Sequence, residues 1–458
     1  MQLFFYFRKS RLIAIWILFI VAGFCSYFIN TYSILIDSGM IRNAVSTDIN
    51  ETLGLLSFGM FLKIIITAII PCLFISKISI IESTHKAKIT TLLITITLSV
   101  VLVFTNYINL ASFFRQNKTI PHQISPSNFF GGAYFVIKNS IKSKSIATEI
   151  DTNASISKNF EKPIVVFVVG ETARRANFEI YGYGKKTNPI LSTLDIIKIP
   201  NTTSCGTNTN VSVPCMFSPD PRTKFVDGTK EYLTQTLARA SVQTYWIENN
   251  FGGCYGVCKD LKTVKRFSGA PDGNSLPELK EMLNQAQQGS FIVFHQNGSH
   301  GPLYKDRITK DFEKFQPACT ITEVSKCTKE ELVNSYDNTI LYTDWFLSQI
   351  IKEIDKTNKN IIFLYVSDHG ESLGEYGLFL HGFPYNLAPK EQKEVPFVIY
   401  MSKKYQSQNQ GHKNCLKKVK SASHDNIYHT IAGLFKLNTK FYNKDLDLVS
   451  NCRNETVI

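Results

Sequence analysis

The stretch NIIFLYVSDHGE, residues 360–371, runs from a block of β-branched and aromatic residues straight into Asp-His-Gly-Glu. That block is too rich in such residues for a helix core and reads as a strand buried on both faces. Three other runs have the same character: PIVVFVV (163–169), SFIVFH (290–295) and VPFVIYM (395–401). Between them Leu332, Tyr336, Ile340, Leu347, Ile351 and Ile354 recur at three-, four- and seven-residue steps, the signature of an amphipathic helix. Strands alternating with helices predict an α/β domain, a mostly parallel sheet flanked by helices. Ligands of such sheets collect beyond the carboxyl ends of the strands.

The residues directly after three of these strands are chemically pointed. PIVVFVV leads into Gly170-Glu171-Thr172, SFIVFH into Gln296-Asn297-Gly298-Ser299-His300, and NIIFLYVS into Asp368-His369, with His381 twelve residues beyond His369. Alone, Glu171 reads as a helix cap, and His295, His300 or His381 as an ordinary packed or loop histidine. Together they bring carboxylate and imidazole to one sheet edge, a donor set suited to Zn2+.

A second short stretch, NTTSCGTNTNVSVPCMFSP (201–219), fences Thr207 and Thr209 between Cys205 and Cys215. It reads as a plain disulfide loop, a metal-binding turn, or a stapled loop presenting a hydroxyl nucleophile. Metal coordination is one way to make an alcohol reactive near neutral pH. A hydroxyl at a helix start would have backbone amides nearby for anionic oxygens, which suits phosphoryl chemistry.

The first 110 or so residues differ in kind. Apolar stretches at 12–29, 53–81 and 89–110 are each about long enough to span a bilayer core of roughly 30 Å. Arg8, Lys9 and Arg11 precede the first, Lys77 lies near the end of the second, and Lys86 and Lys88 lie between the second and third, which places those ends in the cytoplasm. The first stretch lacks a small-x-small cleavage site and is read as a span rather than a signal peptide. The expected organisation is a transmembrane domain (1–114), a connector (115–162) and an exported catalytic domain (163–458). The connector's Phe129, Phe130, Tyr134, Phe135 and Ile137 fit either a segment on the membrane surface or a helix docked on the soluble domain.

Ten cysteines divide the same way. Cys25 and Cys72 fall in the spans, and the other eight lie where disulfides persist. Nearest-neighbour pairing gives Cys205–Cys215, Cys254–Cys258 and Cys319–Cys327, and leaves Cys415 with Cys452; a structural zinc site would call for ligand spacings that are missing. The formal net charge of +13 suits an anionic lipid surface. No motif points to nucleic acid.

The blocks VVGETARRANFEIYGYGKKTNPIL, SCGTNTNVSVPCMF, HQNGSHGPLY, YDNTILYTDWFLSQII and VSDHGESLGEYGLFLHGFPYNLAPKEQKEVP resemble, in order, the phosphoethanolamine transferases that modify lipid A, the group that includes the mobile colistin-resistance enzymes. The resemblance implies the alkaline phosphatase/sulfatase fold for the catalytic domain. It implies one catalytic Zn2+ bound by Glu171, Thr209, Asp368 and His369, with Thr209 as nucleophile. His300 and His381 match positions that contact the transferred group or a second zinc. Asn43, Thr47 and Glu51 match contacts to the donor head group. The implied reaction moves phosphoethanolamine from phosphatidylethanolamine to lipid A and confers polymyxin resistance, carried out by a monomer in the bacterial inner membrane facing the periplasm. Transfer to Kdo or heptose, or hydrolysis by the same fold, are the alternatives. The chain departs from the family twice: it shows three spans where members usually carry five, and Tyr255 stands where many relatives have Lys, with Lys259 nearby.

Overall fold

The computed structural model describes residues 8–46, 55–78, 84–117, 120–145, 148–157, 161–250, 252–267, 271–450 and 452. The chain divides into two compact units, Met1–Ile41 with Leu56–Lys138, and Arg42–Leu55 with Asn139–Ile458.

The first unit is helical. Three of its helices are long and apolar enough to cross a membrane: Ser10–Tyr32, Phe58–Lys77 and His85–Thr105. The first two pack through small residues, as helices without a hydrophobic drive between them must. A Cβ on Gly23 would lie 3.3 Å from Thr67 Oγ1 and 3.5 Å from the Ala68 methyl, so the backbones meet closely there. Trp16 Nε1 donates to Ser76 Oγ at 3.1 Å, and the hydroxyls of Tyr27 and Ser57 are 2.7 Å apart. Pro71 cannot donate to the helix ladder, and the preceding turn, Ile65–Ile69, widens to π geometry. His85–Thr105 has no buried residue. The helix Ser127–Ser145, which belongs to this unit as far as Lys138, leaves Tyr134, Phe135 and Ile137 exposed.

The second unit is built on a seven-stranded sheet. Its strands are β1 (Ile164–Gly170), β2 (Ile197–Lys198), β3 (Thr244–Glu248), β4 (Thr263–Arg266), β5 (Phe291–His295), β6 (Ile361–Ser367) and β7 (Phe397–Met401), in the order β2-β7-β6-β1-β5-β3-β4. The run from β6 to β4 is parallel, whereas β7 and β2 add an antiparallel edge. β1 is central and buried along its whole length, which is why its sequence shows no polar alternation.

Helices cover both faces. Val165, Phe167 and Val169 share one core with Val213, Met216, Leu233, Leu237, Ile427 and Ile431 from helices Thr209–Met216, Leu233–Arg239 and Asp425–Leu434. On the opposite face lies the 29-residue helix Lys329–Thr357, whose Phe346 ring centroid is 4.9 Å from that of Phe294. Thr328 and Glu331 form a capping box at its start.

Four disulfides join Cys205 with Cys215, Cys254 with Cys258, Cys319 with Cys327, and Cys415 with Cys452; Cys25 and Cys72 are free and buried.

Candidate active site

The sheet register creates the site. Gly170 of β1 pairs with Ser367 of β6, so Glu171 and Asp368 leave the sheet side by side. The Asp368 amide still donates to the Gly170 carbonyl at 2.9 Å, extending the ladder by one bond. At Gly170 a Cβ would lie 2.6 Å from the Tyr365 ring, so only glycine fits before Glu171.

Thr172 then takes φ +57°, rare for a β-branched residue, and three bonds hold it there. Its amide donates to Asp368 Oδ1 at 3.0 Å, its carbonyl accepts from Tyr336 Oη at 2.7 Å, and its hydroxyl donates to Glu171 Oε1.

The ligand-type atoms of Glu171, Asp368 and His369 all lie within 4.8 Å of one another and all three residues are buried. His369 Nδ1 donates to the Gly370 carbonyl at 2.8 Å, which leaves the Nε2 lone pair for the site. That Nε2 is 3.3 Å from Asp368 Oδ2 and 3.6 Å from Glu171 Oε1. Asp368 Oδ1 accepts from the amides of Thr172 and His369, at 3.0 and 2.7 Å. Its Oδ2 is buried without a hydrogen-bond partner among the described residues.

Electrostatics marks the same spot as short of positive charge. Burial, reinforced by Asp368, pushes the Glu171 carboxyl up to about 8, and burial lifts Asp368 to about 6. Burial and then His381 hold His369 well below the usual imidazole value. Two buried carboxylates, one with an orphaned oxygen, and one imidazole with a directed lone pair fit a divalent cation.

Thr209 is the first residue of helix Thr209–Met216, on the loop closed by Cys205–Cys215. Its Oγ1 lies 3.2 Å from Glu171 Oε2 and 3.3 Å from His369 Nε2, so the hydroxyl belongs to the same cluster. Thr207 does not; its hydroxyl donates to the Phe383 carbonyl at 2.7 Å.

His300 and His381 stand beside the cluster. The His381 ring centroid is 4.5 Å from that of His369 and 4.8 Å from that of His300. His381 Nδ1 is 2.8 Å from Glu371 Oε2, and Tyr304 Oη donates to Glu371 Oε1 at 2.7 Å. His295 is buried deeper, with Nδ1 2.8 Å from Glu248 Oε1. Burial alone would lower its pKa, but Glu248 together with Glu171 and Asp368 outweighs it and the net shift is upward. Asn43 accepts from Nδ2 of Asn210, the residue after Thr209, at 3.3 Å. Thr47 and Glu51 lie outside the described residues. Tyr255 has φ +47° and turns its hydroxyl back over Gly252.

Sequence reasoning missed three residues next to the cluster. Asn250 follows β3 and donates to Glu171 Oε2 at 2.7 Å. Its strand, TYWIE, carries Thr and Glu and lacks the unbroken apolar run of β1, β5, β6 and β7, yet it ends at the same edge, and that ending is the signal that points to Asn250. Glu371 lies within the DHGE motif without having been given a role. Asp272, fully buried, accepts from Asn249 Nδ2, Gln296 Nε2 and the amides of Asn297 and Gly298. It thereby ties the ends of β3 and β5 together behind Glu171, and nothing in its local sequence announces this.

Comparison with known proteins agrees with the fold. Residues 163–437 match the sulfatase family, and residues 1–141 match the family described as phosphoethanolamine transferase EptA/EptB. Phosphoethanolamine transferase EptA of Escherichia coli K12 is 34% identical over 466 residues, covering 95% of this chain and 85% of that protein. Phosphatidylethanolamine transferase Mcr-1 of Escherichia coli is 35% identical over 437 residues, covering 84% of this chain and 77% of that one. The solved structure of the integral membrane lipooligosaccharide phosphoethanolamine transferase A from Neisseria meningitidis superposes with a TM-score of 0.90 at 31% identity, over 98% of this chain and 88% of that one. Likeness that extends through both the apolar helices and the α/β domain assigns the chain, as an enzyme, to the EptA family of phosphoethanolamine transferases.

Proposed function

We propose that this chain carries phosphoethanolamine from phosphatidylethanolamine to a phosphate of lipid A through a phosphothreonine at Thr209, lowering the negative charge that attracts polymyxins and other cationic peptides. The single observation that carries this reading is the Thr209 hydroxyl within 3.4 Å of Glu171 and His369 at a parallel-sheet edge. The donor is supported by the name of the Mcr-1 relative, a phosphatidylethanolamine transferase.

Glu171, Thr209, Asp368 and His369 would hold Zn2+, which supplies Lewis acidity and positive charge when bound. In the first step Thr209 Oγ bonds to phosphorus while the bond from phosphorus to the donor's glycerol oxygen breaks. The threonine proton ends on the released diacylglycerol. In the second, a lipid A phosphate oxygen attacks the phosphothreonine, and Thr209 leaves with the acceptor's proton. Glu171 and His369 orient the hydroxyl. His300 and His381 flank the transferred group, and Asn43, Thr47 and Glu51 contact the donor head. Residues 1–114 anchor a monomer in the inner membrane, and residues 163–458 act in the periplasm, where the four disulfides persist.

Mass spectrometry of lipid A from cells expressing the chain should show added phosphoethanolamine. Thr209→Ala should reduce that product by on the order of 10³-fold or more. Unchanged lipid A modification and polymyxin tolerance in the variant would remove Thr209 from the chemistry. Free phosphoethanolamine from a fluorescent donor, without modified lipid A, would instead favour a hydrolase.

A further inference from the structure

We propose that His424 is a positioning residue, a rigid strut that fixes the nucleophile loop at its working distance from the metal-ligand strand, a role that rests on the assignment of Thr209 as nucleophile. His424 precedes helix Asp425–Leu434 and is 1% exposed. Its Nδ1 accepts from the Cys205 amide at 3.0 Å, and its Nε2 donates to the Ser367 carbonyl at 2.9 Å. An amide can only donate and a carbonyl can only accept, so these partners select the Nε2–H tautomer of a neutral ring. Burial pushes the His424 pKa down to about 3, which keeps the ring neutral wherever the protein works.

Both partners abut the reacting groups. Cys205 opens the disulfide loop that carries Thr209. Ser367 is the residue before Asp368, and its hydroxyl accepts from the Ala173 amide at 2.8 Å and donates to the His369 carbonyl at 3.0 Å. Elsewhere on the loop the Ser204 amide donates to the Lys393 carbonyl and Thr207 Oγ1 to that of Phe383, while Thr209 Oγ1 itself lies within 3.4 Å of Glu171 and His369. The imidazole therefore couples loop to strand across a ring whose two nitrogens cannot change their separation. A misplacement of about 1 Å in a reacting group can cost roughly 100-fold in rate.

The test uses the full chain in detergent with zinc and a fluorescent phosphatidylethanolamine. His424→Asn keeps an acceptor near the Nδ1 position and His424→Gln a donor near the Nε2 position, so each retains one end of the strut. Each should lower kcat for diacylglycerol release by about 10- to 100-fold, with KM within about 3-fold of wild type and with wild-type zinc content. Added imidazole should partly restore His424→Gly. Wild-type kcat in both single-ended variants, or losses that simply follow lost zinc or a lowered Tm, would overturn the proposal. Should the variants not fold, nitrogen-15 NMR of histidine-labelled wild type decides: a neutral Nε2–H ring from pH 5 to 9 is expected, and the Nδ1–H tautomer or a charged ring overturns it. A wild-type enzyme that forms no phosphothreonine defeats the nucleophile assignment instead, whereas phosphothreonine formed equally by wild type and both variants defeats only the strut.

Discussion

At Asp368 the two carboxylate oxygens have opposite surroundings. Oδ1 takes two backbone amides, and Oδ2 faces the cluster without a partner among the described residues. A buried oxygen in that state costs about 1–3 kcal/mol, more if charged, so a cation held there would stabilise the fold. The pH dependence comes from Glu171, whose folded value is raised to about 8 from an ordinary 4.5. A raised carboxyl favours the metal-free fold below about 4.5, and that contribution is lost as pH rises through 8. Zinc requires the ionised form, so its stabilising effect should grow across the same interval. Thermal scans with and without zinc should show a larger gain in Tm at pH 8 than at pH 6. An equal gain at both values would place the metal elsewhere. The sequence made Glu171, Asp368 and His369 legible because each directly follows or sits close to a readable strand. Asn250, 79 positions from Glu171, and His424, 219 positions from Cys205, were not, because only the folded register brings them to their partners.

Among the elements, the helix Leu276–Gln285 depends on a distant cation. Lys359, just before β6, donates through Nζ to the carbonyls of Leu283, Asn284 and Ala286, at 2.9, 2.7 and 2.9 Å. Those are the carbonyls a helix end leaves unpaired, and a positive charge there complements the helix dipole. Lys359→Met should lower unfolding stability by about 1 kcal/mol, measured by urea denaturation, with the kcat of the remaining folded enzyme unchanged. A neutral result would mean water replaces the ammonium at no cost. Strand legibility divides along similar lines. The runs behind β1, β5, β6 and β7 are apolar on both faces and could be read directly. Ile197–Lys198 and Thr263–Arg266 are short edge strands with exposed positions, and TYWIE mixes Glu and Thr into a buried strand that only its neighbours make coherent.

For the whole molecule, the covalent links are unequal. The Cys415–Cys452 bridge closes a separation of 37 residues, against 4 for Cys254–Cys258 and 8 for Cys319–Cys327. Chain-entropy reasoning assigns the longer loop a contribution of about 3 kcal/mol or more. Cys452→Ser should therefore lower Tm more than Cys327→Ser, and reversing that order would mean the unfolded chain is already ordered near its end. The division into an apolar helical part and an α/β part was readable from composition, because membrane-length apolar runs and buried strands differ in length as well as residue type. The pairing of Gly170 with Ser367 has a consequence for how this chain can vary. One residue inserted within β1 or β6 would turn Glu171 or Asp368 to the opposite side of the sheet, whereas residues added to surface loops leave both where they are. A library of single-residue insertions, selected for growth on polymyxin, should tolerate gaps widely along the α/β part yet leave a blank at these two strands.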